Sequence, residues 1–513
     1  MQLSRESLRQ IIPVNGLIKS PDSVFLLPEK VLQFGTGVLL RGIPDYFIDK
    51  ANRQGVFNGR IVAVNSSSPG AVDVFNRQDN LYTVCVKGLD KGEVVEETII
   101  HSAISRVLSA QTQWNEVLKC AANPDLQVVI SNTNEFGLVM DTEDDMHASP
   151  PGSFTGKLLA FLYRRYRVFQ GDPSKGLVII PMELIPDNGE RLESIIEELA
   201  HENNLEYAFM DWLENANYFC NSVVDRIVHG NLPPHTLNRA TEEFGYRDEL
   251  MILSEPYRFW AIESANPKVK EILSFRLADE GILISPDIGF YRDLKLHLLN
   301  GSHTFSCGLA FLAGFETVKE AMSDGDFSTF ISNLVHEEIG PAIIQEGLSP
   351  ELMEDFFKKA LDRYSNPSIG PRWLDIAAQY VSKLKMCCLP VMLNYLSRYG
   401  NVPKHMTLAI AAHLLFMKCK KSADGKYYGE LNGKKYPVFD DNIVIYSHAW
   451  EHGADSDAVV EEILRDTSIW DPDLAGHEVF LKTIKRTLQG LSNEGAWTEI
   501  RKLIRSRKME EVS

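Results

Sequence analysis

Residues 31–34, 61–64, 126–130 and 176–180 are short apolar runs of strand length, each followed by small or polar residues and then by a segment of helical period. Runs with little polar alternation are what strands buried on both faces require, so they predict a parallel sheet whose carboxyl-end loops carry the polar residues. Helical periods predict helices over 114–120 and 154–169, and a hairpin joins 81–87 to 94–101 around Gly88 to Gly92. From Glu190 onward helical patterns dominate, interrupted by a short apolar segment at 223–227 and by a strand at 281–285 that stops at Pro286.

The first run ends in Gly35-Thr-Gly37-Val-Leu-Leu-Arg41-Gly42 and leads into a helical pattern through Phe47 and Ile48. A strand, a glycine turn and a helix in that order suit a dinucleotide: the first glycine allows a tight turn, the next lets backbone approach a pyrophosphate, and the helix start offers N–H groups. Leu40 stands where a third glycine is usual and Gly42 falls two places late, so a plain βα turn fits the same residues. The run 61–64 ends in Asn65-Ser-Ser-Ser68, with neither the usual acidic residue for an adenosine ribose nor an Arg for a 2′-phosphate, which favours NAD over NADP. The run 126–130 opens onto Ser131-Asn-Thr-Asn-Glu135. Candidate cofactor contacts are therefore Phe34, Gly35, Thr36, Gly37, Arg41, Asn65, Asn132, Thr133 and Glu135. These elements predict an α/β chain, with an N-terminal Rossmann-like, doubly wound domain over 1–275 followed by a mainly α-helical C-terminal domain over 276–513. A length of 513 residues agrees with two domains.

The second domain opens on Lys295-Leu-His-Leu-Leu-Asn300-Gly-Ser-His303. Leu294, Leu298, Leu299, Phe305, Leu309 and Phe311 keep a 3.6-residue period, which predicts a buried helix. At about 100° per residue, Lys295, Asn300 and His303 fall within an arc of roughly 140°. A surface Lys beside a satisfied core His fits this spacing; so does a proton-transferring amine beside an amide donor and a substrate-orienting imidazole. Asn188-Gly189, after the run 176–180, is a turn or an amide aimed at a carbonyl oxygen. An amphipathic helix over 351–361 leads to Arg363-Tyr-Ser-Asn366, and Lys383 and Lys385 follow on the next helix.

A formal charge of −18 excludes a general nucleic-acid binder and leaves any anionic substrate to a local basic pocket. Seven cysteines without C-x-x-C spacing read as reduced, mostly buried thiols. No signal peptide is visible, and the longest apolar run, 408–417, is too short to span a bilayer, so a cytoplasmic protein is expected. His448-Ala-Trp-Glu451-His452 matches the H-x-x-E-H zinc-hydrolase pattern, but Gly453 ends its helix at once, and a helix end rich in His and Glu is the preferred reading.

Gln33-Phe-Gly-Thr-Gly37, Ser131-Asn-Thr-Asn-Glu135, Asn188-Gly189, Val224-Asp-Arg-Ile227, Lys295-x4-Asn300-Gly-x-His303 and Arg363-x2-Asn366-Pro-x-Ile369 together resemble the mannitol dehydrogenase family of polyol and sugar-acid dehydrogenases. The resemblance implies hydride transfer between NAD(H) and a small sugar-acid substrate, without a metal, nucleic acid or membrane partner. It implies that Lys295 is the general acid and base, that Asn188 and Asn300 donate to the reacting oxygen, and that His303 orients the substrate. Where polyol-oxidising members often have Asp, Pro371 stands here, followed by Arg372, which points away from a neutral polyol. Arg292, Arg363, Arg372, Lys383 and Lys385 are the candidates to receive a carboxylate. From about residue 400 onward little of the resemblance is visible; 418–436 is expected to form a β-like insertion with turns at Gly429 and Gly433. The oligomeric state is not set by the sequence.

Overall fold

The structure, a computed structural model, describes residues 1–11, 16–66, 69–133, 137–142, 144–344, 349–366, 370–453, 455–470 and 476–510, with the side chains of 69–71 and 506–510 left aside. The chain divides into two compact units, Met1–Gly289 and Phe290–Ser513.

In the first unit six parallel strands, β1 (Glu29–Phe34), β2 (Arg60–Asn65), β3 (Ile104–Ser109), β4 (Val128–Ser131), β5 (Val178–Pro181) and β6 (Tyr218–Phe219), lie in the order β3-β2-β1-β4-β5-β6. This is the doubly wound order, and it reverses between β1 and β4, where the following loops part and leave a crevice. Alternate residues enter two separate cores: Val31, Ile61, Ala63, Val128, Ile130, Val178 and Ile180 on one face, and Leu32, Phe34, Val62, Val64, Val129 and Ile179 on the other. Covering both faces is why these strands read as apolar runs.

Three expectations for this unit change. The hairpin pairs Tyr82–Asp90 with Glu93–His101, and Asp90 faces Glu93. Its turn is therefore Lys91-Gly92, both at positive φ (54° and 79°), while Gly88 stands inside a strand. Residues 223–225 of that segment lie in a strand, Ser222–Asp225, which pairs with Phe259–Glu263, so strands continue well past Glu190. Ile282–Ser285 pairs in parallel with Phe259–Glu263 and thus belongs to the first unit, which carries the division from 275 to Gly289.

The second unit is mainly helical, around one large core that includes Leu294, Leu298, Phe305, Phe330, Trp373, Tyr380 and Ile410. Residues 419–437 form the expected insertion as three antiparallel strands, Cys419–Lys421, Tyr427–Leu431 and Lys434–Pro437. Asn432 and Gly433 make a turn at positive φ. Gly429 instead sits mid-strand, because the Tyr436 ring occupies the place of its missing Cβ, 2.3 Å from the ring.

Helices α1 (Val38–Gly42) and α2 (Pro44–Arg53) follow β1, the second opening on a proline at its first position. Asp45 of α2 is wholly buried with the Tyr82 hydroxyl 3.3 Å from its Oδ2, and burial, opposed by Arg41, raises its carboxyl from 3.8 to about 7. The unfolded chain ionises this group while the folded chain keeps it protonated, so its contribution to stability falls as pH rises from about 4 to about 7. Buried His101, stacked 4.9 Å from Tyr82 and lowered by burial to about 4, has the opposite slope, losing stability as pH falls below about 6.5. Asp45→Asn removes only the first slope. In calorimetry, the variant's Tm minus that of the wild type should rise by roughly 2 °C or more between about pH 5 and pH 8; a flat difference would mean that Asp45 is ionised in the fold throughout.

Candidate active site

At the crevice, Gly35 turns at φ +124°, and a Cβ there would lie 2.6 Å from Leu40 Cδ1 and 3.2 Å from the Asn132 carbonyl. Its N–H donates to Val64 O at 2.9 Å. Leu40, the departure from the glycine fingerprint, thus packs over the first glycine, whose φ of +124° is what calls for a residue without a Cβ. Gly37 caps α1, and a Cβ on it would meet nothing within 4 Å, so its backbone is open to approach. Asn65 Nδ2 donates to Thr36 Oγ1 at 2.9 Å, tying the turn to the end of β2. Phe34 is buried with its ring edge-on to Phe154 at 5.3 Å. Across the switch point, Asn132 N–H donates to Phe34 O at 3.2 Å, and its amide donates to Met182 O at 2.8 Å.

Thr133 donates through N–H (2.8 Å) and Oγ1 (3.0 Å) to the buried carboxylate of Glu183, and Ser131 Oγ donates to the same group at 3.2 Å. Glu183 organises these loops, yet sequence reasoning gave it no role; its place just past an apolar strand was the available signal. Glu135 lies outside the described residues. Arg41 departs from its expected part: its guanidinium is buried, donates to Leu250 O and lies near the Tyr82 and Phe75 rings, so it serves the interior.

Asn188 is also corrected. It opens α3 (Asn188–Glu202) and is fully buried. Its two amide hydrogens go to Glu183 O at 2.9 Å and Ser222 O at 3.0 Å, and its oxygen accepts from Ser222 N–H at 2.9 Å. A primary amide has two donors, and both are spent on backbone, so none is left for a substrate oxygen.

In the second unit, Lys295 and Asn300 lie on a π-wound segment, Leu294–Asn300, inserted between the helix Gly289–Asp293 and α4 (Gly301–Leu312), which carries His303. Leu294, Leu298 and Leu299 are buried as expected, and Lys295, Asn300 and His303 are half-buried. The wider turn corrects the angular arc drawn for a plain α-helix, since each residue advances by a smaller angle. Gly301 follows because the Cys387 carbonyl would lie 3.2 Å from any Cβ there. The His303 ring packs 4.1 Å from that of Tyr364 and 6.1 Å from that of Trp373. Tyr364 ends α5 (Pro350–Tyr364), and its hydroxyl donates to Leu299 O at 3.1 Å and lies 2.6 Å from Ser302 Oγ.

Among the basic candidates, Arg292 is half-buried three residues before Lys295, and Arg363 is buried beside Tyr364 in sequence. Arg372 pairs at the surface with Glu316 at 3.1 Å, and Lys383 Nζ donates to Ile376 O at 2.8 Å. The seven cysteines are free and buried. His448 and His452 stack at 4.3 Å on a helix ended by Gly453; among the described residues no group of three or more His, Cys, Asp or Glu is placed to hold a metal ion. No described helix is long and apolar enough to cross a membrane.

The family model for the mannitol dehydrogenase Rossmann domain matches residues 29–273, and that for the mannitol dehydrogenase C-terminal domain matches 287–492. The chain belongs to the mannitol dehydrogenase family. Membership makes it an oxidoreductase acting on a CH–OH group. It is 38% identical to an altronate oxidoreductase of Bacillus subtilis (strain 168) over 76% of this chain and 80% of that one. It is 35% identical to an altronate oxidoreductase of Halalkalibacterium halodurans over 91% and 92%. In fold it is similar to the Pseudomonas fluorescens mannitol 2-dehydrogenase in ternary complex with NAD and D-mannitol, with a TM-score of 0.70, 21% identity and coverage of 98% and 100%. It is similar too to a D-sorbitol dehydrogenase in substrate-free form, with a TM-score of 0.78, 17% identity and coverage of 97% and 100%.

For this mannitol dehydrogenase family member, Asn188→Ala is expected to lower the unfolding free energy by about 2–3 kcal/mol in urea titration, the cost of leaving buried backbone groups unpaired. Unchanged stability with lost activity would return Asn188 to the reacting oxygen.

Proposed function

We propose that the protein is an NAD-dependent oxidoreductase that interconverts altronate and tagaturonate, with hydride transfer at C3 of the sugar acid. The observation that carries the chemistry is the half-buried amine, amide and imidazole of Lys295, Asn300 and His303 on one continuous helix with a π-wound turn. The substrate rests on the curated relatives, which share most of their length with this chain and are named altronate oxidoreductases. NAD fits the first unit because Gly37 leaves open space where a phosphate would approach and Gly35 makes the turn that exposes it. When bound there, NAD(H) would supply or accept the hydride. Thr36, Asn65 and Asn132 line the same crevice and would hold it, and Thr133, whose N–H and Oγ1–H go to Glu183, would accept from it through Oγ1.

In reduction, Lys295 Nζ delivers a proton to the substrate oxygen as the carbonyl becomes an alkoxide, and in oxidation it removes that proton. The Asn300 amide donates to the same oxygen and strengthens that bond as charge grows. His303, steadied by the Tyr364 ring, binds a neighbouring hydroxyl. The substrate carboxylate is assigned to the basic side chains of the second unit, Arg292, Arg363, Arg372 and Lys383.

The test is a panel of tagaturonate, fructuronate and fructose, each with NADH and NADPH, followed by nicotinamide absorbance. Tagaturonate with NADH should give the highest kcat/KM; a preference for fructuronate or fructose would replace the substrate. Lys295→Ala should cut turnover by about 10²–10⁴-fold with NADH binding nearly intact. A variant keeping more than about a tenth of wild-type turnover would remove the amine from the chemistry.

A further inference from the structure

The second unit contains a cavity of about 350 Å³ lined by Asp293, His297, Asn394, Ser397 and Arg398, with residues 342–344 as its apolar wall. Asp293 and His297 are four residues apart and share a stripe of the helix that carries Lys295; Lys295, two residues from each, is directed off that stripe. His297 Nδ1 lies 2.9 Å from the Cys387 carbonyl. A carbonyl only accepts, so Nδ1 bears the proton and Nε2 of the neutral ring is an acceptor. Arg398 Nη1 donates to Pro341 O at 3.1 Å and Ile344 O at 2.8 Å. Those two bonds fix the guanidinium plane and use both Nη1 hydrogens, leaving the Nε–Nη2 edge, the fork that takes a carboxylate side-on.

We propose that this cavity is a second binding site, for a small polyhydroxy carboxylic acid, with the carboxylate on Arg398 and the hydroxyls among Asn394, Ser397, Asp293 and His297. A hydroxyl both donates and accepts, so it suits a wall that mixes a carboxylate, an amide, a hydroxyl and an imidazole. A carboxylate matches the single guanidinium edge that Arg398 presents, whereas a phosphate dianion would leave half of its charge unmet there. The volume falls in the range of small-ligand pockets. His297 and Asp293 flank Lys295 in the chain, and Cys387 belongs to a second π-wound segment, Leu384–Cys388. An occupant that draws on His297 therefore acts on the turn that holds the amine. This coupling to turnover rests on the function proposed above; the binding itself does not.

The experiment is calorimetric titration of the full-length protein with D-gluconate as probe and sorbitol as its neutral counterpart. The wild type should bind one more gluconate per chain than Arg398→Gln does, and sorbitol should bind that site about tenfold or more weakly, since it lacks the carboxylate. Arg398 and Ser397 are exposed, so Arg398→Gln and Ser397→Ala are expected to melt like the wild type, and Ser397→Ala should weaken the same binding component. Equal gluconate stoichiometry in wild type and Arg398→Gln, or equal affinity for sorbitol, overturns the site. Lys295→Ala should leave this component unchanged, so failure of the hydride-transfer reading and failure of the second site give different results.

Discussion

Glu183, almost wholly buried just past β5, accepts from Thr133 N–H, Thr133 Oγ1 and Ser131 Oγ at 2.8, 3.0 and 3.2 Å. A carboxylate taken out of water costs several kcal/mol unless donors meet it, so three donors here mean that the loop after β4 is held where the carboxylate needs it. The Glu183 carbonyl is in turn bound by the Asn188 amide, which also grips Ser222 on both sides of its peptide. One carboxylate and one amide thus join the loops after β4 and β5 to the strand Ser222–Asp225. The far side of the crevice is tied together for this reason, and the glycine turn after β1 faces it across the point where the strand order reverses.

The second unit meets a different constraint. Its central helix must bury Leu294, Leu298 and Leu299 while keeping Lys295 and Asn300 half out, and the π-wound segment Leu294–Asn300 does this by widening one turn. Two further π-wound segments, Leu334–Ile339 and Leu384–Cys388, pack against it. Close approach is possible because Gly301 presents no side chain to the Cys387 carbonyl. The Tyr364 hydroxyl on Leu299 O then takes up a carbonyl next to the end of that turn while its ring steadies His303. Widened turns of this kind recur at functional sites, where a change of register by one residue re-aims a side chain.

Much of this was legible in the sequence, for local reasons. The strands showed because both of their faces are buried, and the glycine turn showed because its conformational demand is met within a few residues. What escaped was tertiary. The amide of Asn188 reads identically whether it faces a substrate or, as found, Ser222, 34 residues further along. Arg41 follows the glycine turn closely, but its partner, Leu250 O, is 209 residues away. Leucines at 294, 298 and 299 suit an α-turn and a π-turn equally, so period alone could not separate them. Glycine favours turns, so Gly429 reads as one; the structure uses it to admit the Tyr436 ring, a demand set by a neighbouring strand.

The imperfect glycine fingerprint shows what the motif is physically for. In its usual form the third glycine lets the helix after the first strand pack closely. Here Leu40 fills that position, and its side chain lies so near Gly35 that a Cβ there would be at 2.6 Å. The close approach has moved to Gly42, where a Cβ would fall 2.6 Å from Val228, and the Gly42 carbonyl accepts from Arg226 Nη1 at 2.6 Å. The requirement is for room between a helix and the strand beside it, and a glycine two places along meets it once the partner strand is Val228–His229. A search by letters scores this turn as a poor match, whereas the distances show each spatial demand answered by a different residue.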